Sequence, residues 1–407
     1  MGKLRSWPWG VIAAALTGIA LAAALRYTLV EFKSVDYYSS LKPWYGAIHS
    51  QGFAAFSTAF SNYNPPYLYL LYVAVRLFPN APAVVAAKLP AMLADLVCAS
   101  IVFLIVRSEH RRPTTLPLIA GMVVLFAPTV VLNSSFWGQA DSLYTAGILA
   151  WIYLMMTRRP VWAVVCFGIA LAFKLQAMFL APVLVALALK GAIPWKALLS
   201  IPGILVVALV PSWAAGRPIQ ELVSIYASQA SQYESITMNA PSAFAWLPGS
   251  KQVFNMFYAP GLIAGAAAAL LWCFVIYKSP RALSARLILE VALAAALIVP
   301  FFLPKMHERY FYPADVLSIA FAFLYPEFFY VPLLAIGASF LSYQQFLFER
   351  DLVPLPVLSL ALLGLITLLV YHIIRQLYAA PQDEEQQFTG ADSSAVAVED
   401  LAAGDAR

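Results

Sequence analysis

The chain has 407 residues, of which 62% are hydrophobic, 14% aromatic and only 11% charged. This balance excludes an ordinary soluble domain and describes an all-α, polytopic membrane protein. The formal net charge of +5 is read by location, because the Lys and Arg of such proteins concentrate in cytoplasmic loops, and it gives no reason to expect a nucleic-acid partner.

Lys3 and Arg5 precede an apolar run from Trp9 to Val30. The run is long enough to span and is followed by further spans, so it reads as an uncleaved first helix with a cytoplasmic N-terminus. From Glu31 to Pro82 the apolar stretches are short and interrupted by Pro and Gly. Two amphipathic pieces there, Tyr37 to Phe56 and Pro66 to Phe78, are expected as helices lying in the outer interface. With the second piece flat, Ala83 to Val106 becomes the second span and the basic loop Arg107-Ser108-Glu109-His110-Arg111-Arg112 is cytoplasmic. Arg158-Arg159, Lys190 with Lys196, Lys278 with Arg281 and Arg286, and Arg375 alternate onto the same side. That pattern gives about twelve spans with both termini inside. The spans flanking Lys174 and Gln176 are short, about thirteen residues instead of about twenty. Residues 1–380 therefore read as one transmembrane domain, and 381–407, with Asp383, Glu384, Glu385, Asp392, Glu399 and Asp400, as an acidic, disordered cytoplasmic tail.

Four segments then collect outside: the first loop, Asn133 to Ser142, a middle loop from Trp213 to Tyr258, and Phe301 to Asp315. The last packs Lys305, His307, Glu308 and Arg309 into five positions. Ionisable groups at the edge of a bilayer are costly and mark sites more often than anchors. If the segment is extended, Lys305, His307 and Arg309 share one side and suit a phosphate or carboxylate, with Arg supplying a planar fork. The plainer reading is a basic anchor at the lipid headgroups.

Asp36 stands beside the first interfacial helix, where it either accepts a proton from a hydroxyl or caps the helix. Asp141 directly precedes a span and has the same capping alternative. With Trp137 and Gln139 it also makes a constellation for holding a sugar. Asn133-Ser134-Ser135 matches a glycosylation triplet of low specificity. Lys174 is expected to face a polar cavity beside Gln176. Lys88 and Asp95 share one face of the second span and are expected to neutralise a partner in the bundle. Tyr233 to Ser242, which includes Asn239, offers further hydroxyls and amides to the outer side. Cys98, Cys166 and Cys273 lie in apolar runs without metal or disulfide spacing and read as core. There is no Walker-type glycine loop, HExxH helix or GxSxG elbow.

Asp36 with Pro43-Trp44-Tyr45, Tyr63-Asn64-Pro65-Pro66-Tyr67-Leu68, Phe136-Trp137-Gly138-Gln139-Ala140-Asp141-Ser142, Lys174-Leu175-Gln176-Ala177, Met238-Asn239-Ala240-Pro241 with Trp246, and Met306-His307-Glu308-Arg309-Tyr310 follow in order over about 30 to 315. Together they resemble bacterial C-type (GT-C) integral-membrane glycosyltransferases, and most of all bacterial relatives of the second mannosyltransferase of GPI-anchor synthesis. The resemblance implies a polyprenyl-phosphate-linked sugar donor, a glycolipid or glycan acceptor, and inversion at the anomeric carbon. It also implies a site facing the periplasm or exterior of a bacterial inner membrane, and it makes Asp36 the base. His307-Glu308-Arg309 is similar to a motif that related enzymes place near the donor phosphate. No cofactor is indicated, and a divalent metal requirement stays open because Asp36 has only Glu31 as an acidic neighbour, where the family often shows a pair.

Physical chemistry assigns the remaining roles. As the glycosidic bond to phosphate breaks, the leaving group moves from one negative charge toward two, so fixed cations favour the transition state over the ground state. Lys305, His307 and Arg309 are the expected clamp, with Lys174 a fourth member. Trp137, Gln139, Asp141, Gln176, Asn239 and Glu308 are expected at the sugar or acceptor. The rival class is a transporter or flippase for an anionic lipid-linked sugar, although transporters usually show repeats and sites at the bilayer midplane.

Overall fold

A computed structural model describes residues 9–110, 114–231 and 234–379. The expected acidic tail, Arg111, Arg112 and Tyr233 lie outside them. The described chain is almost entirely helical, as a bilayer requires of backbone that has no water to bond.

The first span is α1 (Trp9–Leu29). The first loop then folds as a π-helical turn (Tyr37–Leu41), α2 (Lys42–Gln51), a 3-10 turn (Gly52–Ser57) and α3 (Pro65–Leu77). At 10 and 13 residues, α2 and α3 are too short to cross. Their apolar faces, including Trp44, Ile48, Tyr67 and Leu71, form a cluster of their own with Tyr37 of the π-helical turn and with Val84 and Ala87 of α4 (Ala83–Glu109).

α5 (Leu116–Phe126) and α6 (Pro128–Val131) are followed by a second π-helical turn, Leu132–Trp137. The chain bends by 49° between Leu116–Phe126 and Pro128–Trp137. Pro128 explains the bend, since it drives Ala127 out of the helical region to ψ 128. α7 (Asp141–Met156) and α8 (Pro160–Phe173) come next, and Lys174 breaks the chain with extended angles of −155° and 133°. A 3-10 turn (Leu175–Leu180) leads into α9 (Ala181–Leu189). α10 (Ser200–Ala214), α11 (Ile219–Ser231), α12 (Lys251–Lys278), α13 (Ala285–Phe302), α14 (Tyr312–Leu324), α15 (Tyr330–Phe348) and α16 (Leu355–Tyr378) complete the bundle.

Seven helices among the described residues are individually long and apolar enough to cross a membrane, or eight with the bent pair. The expected twelve exceeds that count because α7, α8, α9 and α14 have only 16, 14, 9 and 13 residues. Much of α7 and nearly all of α14 is buried against α4 and α13. α13 is the central element, buried along nearly its whole length from Leu287 to Phe301. Its Ala294-Ala295-Ala296 run lets neighbouring backbones approach closely. Lys88 and Asp95 do not share a partner. Asp95 accepts from Arg26 of α1 at 2.8 Å and from Ser134 at 2.6 Å, while the Lys88 ammonium turns to backbone carbonyls.

Orientation is testable with an impermeant thiol reagent. Ser135 is fully buried, whereas Ser39 and Ser108 are exposed at opposite ends of the sequence pattern. Ser39→Cys should label from outside and Ser108→Cys only after permeabilisation; the reverse would overturn the orientation.

Candidate active site

Asp36 precedes the first π-helical turn but makes no side-chain cap. Ser34 takes that task, its Oγ accepting from the Tyr37 N–H at 3.2 Å. Asp36 is instead held from across the loop, where Oδ2 accepts from Trp137 Nε1 at 2.8 Å and from Gln139 Nε2 at 2.7 Å. The Gln139 amide is fixed in turn, because Tyr63 donates its hydroxyl to Oε1 at 3.1 Å. Gly138 permits this arrangement. Its φ of +88° turns the chain between the two donors, and a Cβ would lie 2.8 Å from Leu41.

Asp141 opens α7 and also makes no cap. It is fully buried, with Oδ1 taking the Lys174 ammonium and Oδ2 accepting from Asn133 Nδ2 at 2.9 Å. Arg309 Nε lies 3.7 Å from the same Oδ2. The Arg309 guanidinium also stacks 5.3 Å from the Trp137 ring, and Lys174 sits 5.5 Å from the Tyr310 ring. Trp137 therefore touches the carboxylate through its N–H and the guanidinium through its face, joining the two halves of the site.

The segment 301–315 is fixed by the middle loop. Short strands β1 (Thr237–Met238) and β2 (Met306–His307) pair in parallel, and Asn239 bridges to His307. Asn239 and Lys305 both adopt positive φ, 58° and 60°. Asparagine tolerates that region well, but for lysine it is a strained conformation of the kind that clusters at functional sites. The Lys305 N–H donates to Ile236 at 2.8 Å, and its ammonium lies over the Tyr258 and Phe254 rings at 4.5 and 5.0 Å.

His307 is not a cation. Burial, then the nearby Arg309 and Lys174 charges, lower its pKa from 6.5 to about 2. Arg309 Nη1 stands 3.2 Å from His307 Nδ1. Arginine can only donate, so Nδ1 accepts and the imidazole proton belongs on Nε2. Burial likewise raises Glu308 from 4.5 to about 7, against the opposing pull of Arg309. Lys174, at the break between two helices, is pressed below the ordinary lysine value by burial, with Asp141 acting against the change.

A cavity of about 1190 Å³ gathers these groups. Asp36, Gln139, Lys174, Gln176, Lys305, His307 and Arg309 line it. The other four expected residues do not line it. Trp137 is fully buried, so its ring offers no sugar platform, and Asp141 spends its oxygens on cations. Asn239 contributes backbone geometry, and Glu308 is enclosed beside His307 and Arg309. Two lining groups were given no role in the sequence: Tyr63, which stood only within a resemblance motif, and Arg217, paired with Glu221 at 3.3 Å. Arg217 carried a signal, since a basic residue in a loop expected outside runs against the charge bias. Among the described residues no three His, Cys, Asp or Glu side chains are grouped to hold a metal, and Asp36 Oδ2 is already met by two N–H donors.

No family model matches the chain, and no curated protein sequence matches it. Among solved structures it is similar to ArnT from Cupriavidus metallidurans bound to undecaprenyl phosphate, with a TM-score of 0.53 and 14% identity over 89% of this chain and 77% of that one. Weaker likenesses are to the Archaeoglobus fulgidus oligosaccharyltransferase tethered with an acceptor peptide (TM-score 0.43, 13% identity, 91% and 56% covered) and to apo ArnT (0.39, 16%, 90% and 78%). Those two scores carry no argument. The first likeness shows the fold alone: this chain shares the helical membrane fold of that ArnT structure.

The two shifted groups set opposite pH dependences. His307 stays neutral when folded, so its contribution is present above 6.5 and is lost as pH falls toward about 2. Glu308 contributes most below 4.5 and loses that as pH rises through about 7. Thermal melting followed against pH should show His307→Gln removing part of the rise in stability between about 2 and 6.5, up to ~1.4 kcal/mol per pH unit, and Glu308→Gln removing the opposing fall between 4.5 and about 7.

Proposed function

We propose that this chain is a polyprenyl-phosphate-sugar-dependent glycosyltransferase. It moves a hexose, with mannose first among the candidates, to a hydroxyl of a lipid-linked or glycan acceptor at the outer face of a bacterial inner membrane. The observation that carries the reading is that a carboxylate oriented by two N–H donors, Asp36, lines the same cavity as Lys174, Lys305, His307 and Arg309. A solved structure of the same fold, ArnT, is bound to undecaprenyl phosphate, which supports a lipid phosphate as the leaving group.

The acceptor hydroxyl attacks the anomeric carbon while Asp36 takes its proton, and the bond to phosphate breaks on the opposite face. One direct displacement inverts the configuration. Arg309, Lys174 and Lys305 meet the phosphate as its charge grows from one toward two, and the His307 Nε2–H adds a neutral donor. Asp141 stays behind the wall and keeps Lys174 and Arg309 side by side, so their repulsion is already offset before the donor arrives. Trp137 and Gln139 aim Asp36, and Gln176 remains at the wall for a sugar hydroxyl.

Purified protein in nanodiscs with radiolabelled polyprenyl-phosphate mannose, and with other hexoses in parallel, tests the reading. Asp36→Asn keeps shape but cannot accept the proton, and should lower turnover about 10²- to 10⁴-fold while donor binding persists. Arg309→Lys keeps the charge but loses the fork and the stack on Trp137, and should cost about ten-fold or more. Near-parental turnover in both variants would overturn the assignment, and donor translocation without transfer would favour the transporter class.

A further inference from the structure

Lys88 lies in α4 close to the end that faces the first loop, and it is fully buried. Its ammonium donates to four backbone carbonyls: Val30 at 2.9 Å, Phe32 at 2.7 Å, Ser135 at 2.9 Å and Phe136 at 2.7 Å. Three protons serve four acceptors, so one of them is shared. Val30 and Phe32 follow the C-terminus of α1, and Ser135 and Phe136 stand in the last turn of the π-helical segment that ends at Trp137. Two helix C-termini, each with unpaired carbonyls and a partial negative charge, thus converge on one cation.

The two segments so joined carry the base and its donors. Asp36 follows Phe32 within a few residues, and Trp137 and Gln139 follow Phe136. Two further contacts cross the same seam: the Ser34 hydroxyl donates to the Trp137 carbonyl at 3.1 Å, and the Phe32 and Phe136 rings stack at 3.7 Å. The lysine stem passes beneath Gly138, where a Cβ would lie 3.2 Å from Lys88 Cε. Lys88 itself does not line the cavity.

We infer that Lys88 is a positioning residue for Asp36, a built-in cation that clasps the carbonyls of both segments and so sets the separation between the carboxylate and the Trp137 and Gln139 N–H groups. This rests on Asp36 acting as the base. The lysine touches no substrate. Its influence on the reaction passes through the register of the two loops, whereas the cation cluster is anchored separately through Asp141.

The test uses the whole protein in nanodiscs. Lys88→Met removes the ammonium and keeps the stem, and Lys88→Gln keeps two donors without the charge. Turnover should fall about ten-fold or more in Lys88→Met and less in Lys88→Gln, while the affinity for polyprenyl phosphate, used alone as the probe, stays within about two-fold. Combined with Gln139→Ala, the loss should be smaller than the product of the single losses, because both variants break one arrangement. Hydrogen exchange should quicken in residues 30–37 and 132–139 and stay unchanged in α12 to α16. Turnover near that of the parent, multiplicative losses, parallel loss of polyprenyl phosphate binding, or failure of both variants to fold would each overturn the inference and leave Lys88 as a bundle staple. An inactive parent would instead overturn the functional reading, and the exchange measurement would still report on the clasp.

Discussion

The site is organised around one buried carboxylate. Asp141 sits with no exposed surface inside an apolar bundle, where an unpaired ionised carboxylate would cost several kcal/mol. Its charge is tolerable only because Lys174, Arg309 and Asn133 reach it. Those partners come from the break after α8, the turn before α14 and the π-helical turn before α7. One electrostatic requirement therefore brings three distant stretches of chain to a single point. The convergence of Lys174 and Arg309, unfavourable by itself, becomes the lowest-energy arrangement, and it leaves two cations pressed against a cavity that an anion can enter.

From Asp141 the order spreads through contacts between unlike groups. Arg309 stacks on Trp137, the indole N–H of Trp137 holds Asp36, and Gln139, itself fixed by the Tyr63 hydroxyl, donates to the same carboxylate. A neutral His307 fits here as well. Next to the Arg309 and Lys174 cations a third charge would be unfavourable in so dry a place, so the imidazole contributes a directed N–H instead of a charge. Both π-helical turns belong to this pattern, since the extra residue in each turn redirects side chains at the point where Asp36 and Trp137 must face one another.

The sequence revealed which stretches matter better than what each residue does. Asp36, Lys174 and the Lys305 to Arg309 cluster stood out because charge is rare in this chain, and all of them but Glu308 reach the cavity. Trp137 and Asp141 were read as facing a sugar, yet they support its walls. Residue type alone does not say whether an aromatic ring or a carboxylate points into a cavity or away from it, and burial decides. The charge of His307 was equally hidden, because desolvation and two cationic neighbours exist only after folding. The expected twelve spans exceed the seven or eight long apolar helices for a related reason: the short helices α7, α8, α9 and α14 carry the hydropathy of spans without their length. The pairing of Thr237–Met238 with Met306–His307 left no trace in either segment, being a long-range contact of two residues.

Not all of the cavity lining is bound so firmly. Arg217 just ahead of α11, and Glu221, Ser224 and Ile225 within it, line one side of the cavity, and this helix meets the bundle through the small cluster Leu209, Leu222 and Ile225, separate from the large core. Substitutions there disturb few buried contacts, whereas a change at Asp141 or Lys174 breaks the central ion pair. The fold thus partitions its own evolvability. Descendants of this chain can rewrite the α11 side of the cavity by ordinary drift, and with it the range of partners the cavity admits, while the carboxylate and its cations are held in place by the cost of leaving any one of them alone in the bundle.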